Sequence, residues 1–229
     1  MTWVKICGMT NLEDALTAVE AGADAVGFVF YEKSPRKISV EAAREIVEKL
    51  PAGVEKVGVF AGESVAHAAE IVSRVGLDAL QVYPLSYARS GSASDDSGAE
   101  SRLRQKRLYI ALPAVSLVSE EHAVTIDMSG PQDKFMAILL DSGGGQHPGG
   151  TGVTFDWNKA APIVASLSRT RYVAIAGGLT AQNVGEALDL LKPWGVDVAS
   201  GVESRPGKKD PEKVRAFLMA VRDIDRKTS

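Results

Sequence analysis

The residues that most often advertise a function are scarce in this chain. It holds one cysteine and three histidines in 229 residues. A single cysteine cannot form an internal disulfide, which excludes the stapled secreted scaffolds and makes a reducing cytoplasm the expected compartment. His67 falls within a helical pattern, His122 in a segment of poor periodicity and His147 in a Gly/Pro-rich loop. None of the three closes an apolar run, so no metal site is expected. Basic residues are in no excess: 26 Lys and Arg against 29 Asp and Glu leave a net charge of −3, the wrong balance for a nucleic-acid binder. No apolar run nears the roughly 20 residues of a membrane span. The first residues run straight into a strand pattern and leave no room for a basic-plus-apolar leader. The expectation is a globular cytosolic protein with neither nucleic acid nor membrane as partner.

What is present is a repeating order. Eight short apolar runs alternate with helical patterns: Val4–Cys7, Ala25–Phe30, Lys56–Phe60, Ala79–Val82, Leu108–Leu112, Ala137–Asp141, Tyr172–Ala176 and Val196–Ala199. Most are apolar throughout, as expected of parallel strands covered on both faces. The length is close to the roughly 250 residues of one (β/α)8 barrel. The expected fold class is α/β, a single (β/α)8 barrel over residues 1–229. Helix starts are legible between the runs. Thr10 and Glu13 have capping-box spacing, and Ser39 stands before "VEAAREIVEKL". Thr180 stands before "AQNVGEALDLL", and Asp210 with Pro211 forms a cap and first-turn pair. The last helix sets Val214, Phe217, Leu218, Val221 and Ile224 on one stripe for packing against the barrel wall. A stretch around 84–107, rich in Ser, Gly and charge, reads as a polar insertion.

In barrels of this kind, chemistry gathers at the C-terminal ends of the strands. The first run ends on Cys7 and the sixth on Asp141; the seventh leads into Gly177 and Gly178, the eighth into Ser200 and Gly201. Loops after strands seven and eight commonly hold phosphate, and glycine lets an anion approach the backbone. Tight turns would explain either loop taken alone. A third glycine-rich stretch, "DSGGGQHPGGTG", contains Gly150 and Thr151 and reads as a flap over the site. Asp141 either caps a turn or, desolvated, rises in pKa and serves as a general acid. Arg36, between Pro35 and Lys37, is either part of a solvated basic cluster or a fork for a carboxylate. Cys7, taken by itself, reads first as a small apolar core residue.

Over nearly its whole length the chain resembles the N-(5'-phosphoribosyl)anthranilate isomerases of tryptophan biosynthesis. The resemblance is carried by "KICGMT", "GFVFYEKSPRKIS", "VGVF", "LLDSGGG" with "GGTGVTFDW", "IAGGLTAQNV" and "VDVASGVESRPGKKD". It implies a phosphate-binding barrel that rearranges a small-molecule substrate, phosphoribosylanthranilate, with neither metal nor organic cofactor. It puts the family's general base on Cys7, its general acid on Asp141 and its anthranilate-binding arginine on Arg36. It also puts Gly150 and Thr151 at the substrate, and Gly177, Gly178, Ser200 and Gly201 at the phosphate. One departure stands out. After strand four the family usually reads Gln-Leu-His-Gly, whereas this chain has Gln81, Val82, Tyr83 and Pro84. Tyrosine can replace a hydrogen bond there but not a charge near neutral pH. A monomer is the default expectation, with a homodimer left open.

A thiol of ordinary pKa, about 8.5, is mostly protonated at neutral pH, so a cysteine base needs something that favours the thiolate. Lys5 lies two residues before Cys7 and by strand alternation faces the same interior. Asp197, on the eighth strand, is its expected counter-ion. That pair either sets the charge around the thiol or is paired charge that fills the core. Three rival readings stay in view. A metal-dependent sugar-phosphate epimerase lacks its ligands here, and a barrel shared with histidine biosynthesis relies on paired aspartates. The third is a catalytically silent barrel that binds phosphorylated ligands.

Overall fold

The structure, a computed structural model, describes residues 1–83, 103, 106–114, 136–143 and 154–228. Its strands are β1 (Trp3–Cys7), β2 (Ala25–Val29), β3 (Glu55–Phe60), β4 (Ala79–Val82), β5 (Arg107–Pro113), β6 (Met136–Asp141), β7 (Tyr172–Ile175) and β8 (Gly195–Val198). They pair in parallel and in chain order, and β8 returns to β1 to close the barrel. Every expected run is a strand. β4 has the expected ends, and the others differ by one residue at one or both ends: Glu55, Arg107 and Gly195 still join the ladder, while Phe30, Ala176 and Ala199 lie past the strand ends. The expected insertion around 84–107 lies almost wholly outside the described residues.

Around the barrel lie α1 (Leu12–Glu20), α2 (Val40–Val47), α3 (Val65–Val75), α4 (Trp157–Leu167), α5 (Val184–Leu191) and α6 (Pro211–Thr228). Ser39 caps α2 by accepting from the Ala42 N–H. The Asp210 carboxylate takes the N–H groups of Glu212 and Lys213 at the start of α6. The expected capping box is not the one used. Asn11 caps α1, accepting from the Asp14 N–H at 2.9 Å, because an amide one residue closer already meets that orphan donor. Thr10 instead gives its hydroxyl proton to the Gly207 carbonyl. Gly207 lies between β9 (Glu203–Arg205) and β10 (Lys208–Lys209), a small antiparallel hairpin that follows β8. α5 likewise starts later than Thr180 suggests, since the Asn183 side chain accepts from the Thr180 N–H and closes a turn first.

Strand alternation sorts the core into two zones. Val4 and Ile6 face outward into the layer between strands and helices, where Val214, Phe217, Leu218 and Val221 of α6 pack fully buried and Ile224 only partly. Trp3, Lys5 and Cys7 face inward. Trp3 stacks on Tyr109 at 5.3 Å and on Trp194 at 4.7 Å, and small residues (Ala25, Ala79, Ala111, Ala137, Ala174) make room for these rings. This aromatic floor seals the N-terminal end, so the polar interior above it opens only at the other end. Trp3→Ala is expected to cost about 3–5 kcal/mol of stability, as large aromatic truncations do. Urea unfolding checks the figure, and the folded fraction should keep the activity of its opposite, unaltered end.

Candidate active site

At the C-terminal mouth of the barrel lies a cavity with about 790 Å³ of empty space, its open side included. Cys7, Arg36, Asp141, Gly177, Gly178, Ser200 and Gly201 all line it, together with Gln81, Tyr83 and Asp197. Seven of the nine residues expected at a site from the sequence therefore share one wall. The other two, Gly150 and Thr151, lie outside the described residues, as do His122 and His147. His67 is in α3, away from the cavity.

Cys7 ends β1 and is 7% exposed, with Val29 and Val59 as apolar neighbours. Burial pushes its thiol up in pKa, and the Lys5 ammonium below it pulls the other way. Lys5 is 1% exposed; its Nζ lies 2.9 Å from Asp197 Oδ1 and donates to Gln81 Oε1 at 2.9 Å. The expected pairing is met by the register itself, which sets Lys5 beside Asp197 across β1 and β8. Burial works against the charge on Lys5, but Asp197 and Cys7 outweigh it, and its pKa lies above the ordinary lysine value. Space for this cluster comes from Gly27 on β2, where a Cβ would stand 2.7 Å from the Cys7 sulfur and 3.0 Å from Lys5 Cε.

Asp141 ends β6, three strands round the ring from Cys7, and is 4% exposed. Burial raises its pKa, helped by the charge of Asp197, while the Gly143 N–H, Ser142 and Tyr83 oppose the rise. A carboxyl so placed holds a proton more readily than an exposed one, which is what an acid needs.

Arg36 does not float in a solvated basic cluster. Its Nε and Nη2 donate to the two oxygens of Glu203 at 2.9 and 2.8 Å, a bidentate pair. Glu203 also receives Lys209 Nζ at 3.0 Å, and the same ammonium donates to the carbonyls of Cys7 at 2.6 Å and Ala199 at 3.3 Å. One carboxylate is thus shared by two cations. Among the described residues the guanidinium of Arg36 makes its hydrogen bonds to Glu203 alone. Glu203 and Lys209 were not foreseen. Their one trace in the sequence is that they fall within "VESRPGKKD", where a charge run reads as solvated.

The glycine loops have a packing reason as well. A Cβ on Gly177 would strike Ser142 at 2.2 Å, and one on Gly201 would strike the Leu179 carbonyl at 1.8 Å. The loops after β6, β7 and β8 are nested backbone against side chain and backbone, which brings Gly178 and Gly201 to one end of the cavity. Among the described residues no group of three His, Cys, Asp or Glu could hold a metal ion, and no helix is long and apolar enough to cross a membrane.

A closed parallel barrel that brings a thiol, a buried carboxyl, an arginine and two glycine loops to one cavity at the C-terminal ends of its strands has the architecture of the (β/α)8 barrel enzymes. The comparisons narrow this. A family model described as N-(5'phosphoribosyl)anthranilate (PRA) isomerase matches residues 4–220. A relative from Chlorobaculum parvum with that enzyme's name is 39% identical over 229 residues, covering 99% of this chain and 97% of its own. The crystal structure of the Thermotoga maritima phosphoribosyl anthranilate isomerase superposes with a TM-score of 0.76 at 39% identity, over 97% of this chain and all of that one. A phosphoribosyl anthranilate isomerase in complex with reduced 1-(o-carboxyphenylamino)-1-deoxyribulose 5-phosphate gives 0.73 at 38% identity, again over 97% and 100%. The chain belongs to the N-(5'-phosphoribosyl)anthranilate isomerase family, and is an isomerase of tryptophan biosynthesis.

Two stability effects follow from the charges. Burial holds the Asp141 pKa above the ordinary carboxylate value, so its ionisation works against the fold once pH passes from the unfolded value through the folded one. Asp141→Asn should therefore raise the urea midpoint at neutral pH. Glu203 runs the other way. Although burial opposes it, the Arg36 and Lys209 partners hold its carboxyl below the ordinary value. Its contribution is present above the unfolded pKa and is lost as pH falls through the folded one. Glu203→Gln should lose about 3 kcal/mol or more at pH 7, the scale for a broken buried pair. Its stability should also fall less steeply in acid, as urea unfolding across pH would show.

Proposed function

We propose that Cys7 and Asp141 are the general base and general acid of the family's reaction in this chain, with Arg36 and the glycine loops as its two anchors. The substrate, N-(5-phosphoribosyl)anthranilate, is an aminoaldose with an anion at each end. The phosphate lies against Gly177, Gly178, Ser200 and Gly201, and the anthranilate carboxylate meets the free edge of Arg36, with Gly150 and Thr151 contributing from the loop after β6. Anchoring both ends leaves the ribose between the two strand termini that carry sulfur and carboxyl, and remote binding energy then orients the reacting carbons. The observation that carries this reading is the convergence of Cys7, Asp141, Arg36 and both glycine loops on one cavity.

The proposed steps are those of an Amadori rearrangement. Asp141 gives its proton to the ribose ring oxygen; the C1–O bond breaks and the nitrogen lone pair forms a protonated Schiff base. Cys7, as thiolate, takes the proton from C2, and the electron pair of that C–H bond becomes the C1=C2 bond of an enolamine. The enol proton leaves the oxygen, C1 gains a proton, and the aminoketose results. C1 is reduced and C2 oxidised within one molecule, so no external redox partner is needed. The cationic Schiff base also arrives beside the thiol, where positive charge favours the thiolate. A free, unpaired thiol in this role fits a reducing cytoplasm, since oxidation would remove the base.

Freshly made phosphoribosylanthranilate should lose its anthranilate fluorescence on mixing with the purified protein. Cys7→Ser and Asp141→Asn should each lower kcat by about 10²–10⁴-fold with KM little changed, as for a lost acid or base. Arg36→Met should instead raise KM by about 10- to 100-fold, the worth of charged hydrogen bonds. No turnover by the intact protein would favour the silent-barrel reading.

A further inference from the structure

Between the base and the acid, the barrel interior holds an unbroken run of hydrogen bonds. Lys5 Nζ donates to Gln81 Oε1 at 2.9 Å, Gln81 Nε2 to Tyr83 Oη at 3.3 Å, and Tyr83 Oη to Asp141 Oδ2 at 3.3 Å. Its direction is forced from one end. An ammonium can only donate, so the amide must turn its oxygen to Lys5 and its NH2 to the phenol. The phenol accepts there, and its single proton is directed to the carboxyl. Burial, with Asp141, Cys7 and Asp197 around it, holds the phenol well above its usual pKa, so it is a neutral donor.

We infer that Tyr83 is a positioning residue for the acid: the run from Lys5 through Gln81 directs the phenol proton onto Asp141 Oδ2 and holds the carboxyl in its orientation toward the substrate. This rests on the assignment of Asp141 as the acid. The other oxygen, Oδ1, accepts from Ser142 Oγ at 3.3 Å and from the Gly143 N–H at 3.4 Å, so the carboxyl is held from both sides. The amide in the middle cannot pass a proton without tautomerising, so the run orients the acid and ties it to the Lys5 charge but does not carry protons back from Cys7.

Tyr83→Phe tests this by removing one proton and keeping the ring. Besides Tyr83 itself, the charged and titratable groups that share the interior with Asp141 among the described residues are Asp197 on β8, Lys5 and Cys7 on β1, and Tyr31 and Arg36 at the mouth. All of them stay. With aspartate labelled by carbon-13 and the Asp141 signal identified by its loss in Asp141→Asn, the carboxyl titration should move to higher pH, because a donor to the carboxylate is gone. The kcat should fall about tenfold, the scale of one hydrogen bond, with KM changed less than about threefold. Gln81→Met, which keeps the phenol but frees its direction, should shift the titration the same way by less, and is the second test if the first variant folds poorly. An Asp141 titration unchanged in both variants overturns the inference, as does a higher KM at constant kcat, which would make Tyr83 a substrate contact. The titration is read without substrate. A wild-type protein that fails to isomerise would therefore overturn the acid's role, not the donor run.

Discussion

Everything polar inside this barrel depends on one buried ammonium. Lys5 has almost no contact with water, and desolvation works against its charge. It stays charged because Asp197 sits beside it in register on the neighbouring strand and Gln81 offers an amide oxygen from β4. Those three residues form a level between the aromatic floor and the mouth. Above that level lie Cys7, Tyr83 and Asp141, each next in alternation on its strand or just beyond it. The cation lowers the cost of a thiolate on one side and sets the polarity of the amide on the other.

The two ends of the barrel are built for opposite purposes. The floor is stacked aromatic rings fitted among alanines, and it contributes stability without chemistry. The mouth does the reverse. Burial raises the pKa of both Cys7 and Asp141, so the charged form of each, thiolate or carboxylate, is harder to hold there than in water. Such a site subtracts from stability, and the rest of the fold must offset it. Part of the compensation is local. The β9–β10 hairpin sends Lys209 down to the Cys7 and Ala199 carbonyls and clamps Glu203 against Arg36, tying the ends of β1 and β8 to the loop that carries the guanidinium. The same contacts that brace the rim thus aim the arginine.

How much of this was legible from residues alone depended on range. Strands buried on both faces announce themselves as apolar runs, so all eight were found to within a residue, and period-two alternation was enough to place Lys5 beside Cys7 and opposite Asp197. Cys7, Arg36 and Asp141 needed the family resemblance, since a lone thiol, a basic cluster and a strand-ending carboxylate each have an ordinary structural explanation. Glu203 and Lys209 escaped because their partners are far away in the chain, and a lysine in a charge run looks solvated until the hairpin folds it inward. Thr10 was misjudged for a related reason: its hydroxyl is claimed by Gly207, which no local pattern reveals. At Gly177 and Gly201 the sequence suggested an anion or a tight turn, whereas the nested loops demand glycine for their own packing. Tyr83 was seen as a departure from the family pattern; what it touches became clear only with Asp141 in place.

The most direct test of the central claim is the rate of Cys7 alkylation as a function of pH in the wild type and in Lys5→Met. If the buried ammonium sustains the thiolate, the titration in the variant moves to higher pH, and Lys5→Met/Asp197→Asn, which also removes the opposing carboxylate, moves back toward the wild type. A profile that is the same with and without Lys5 would contradict the account.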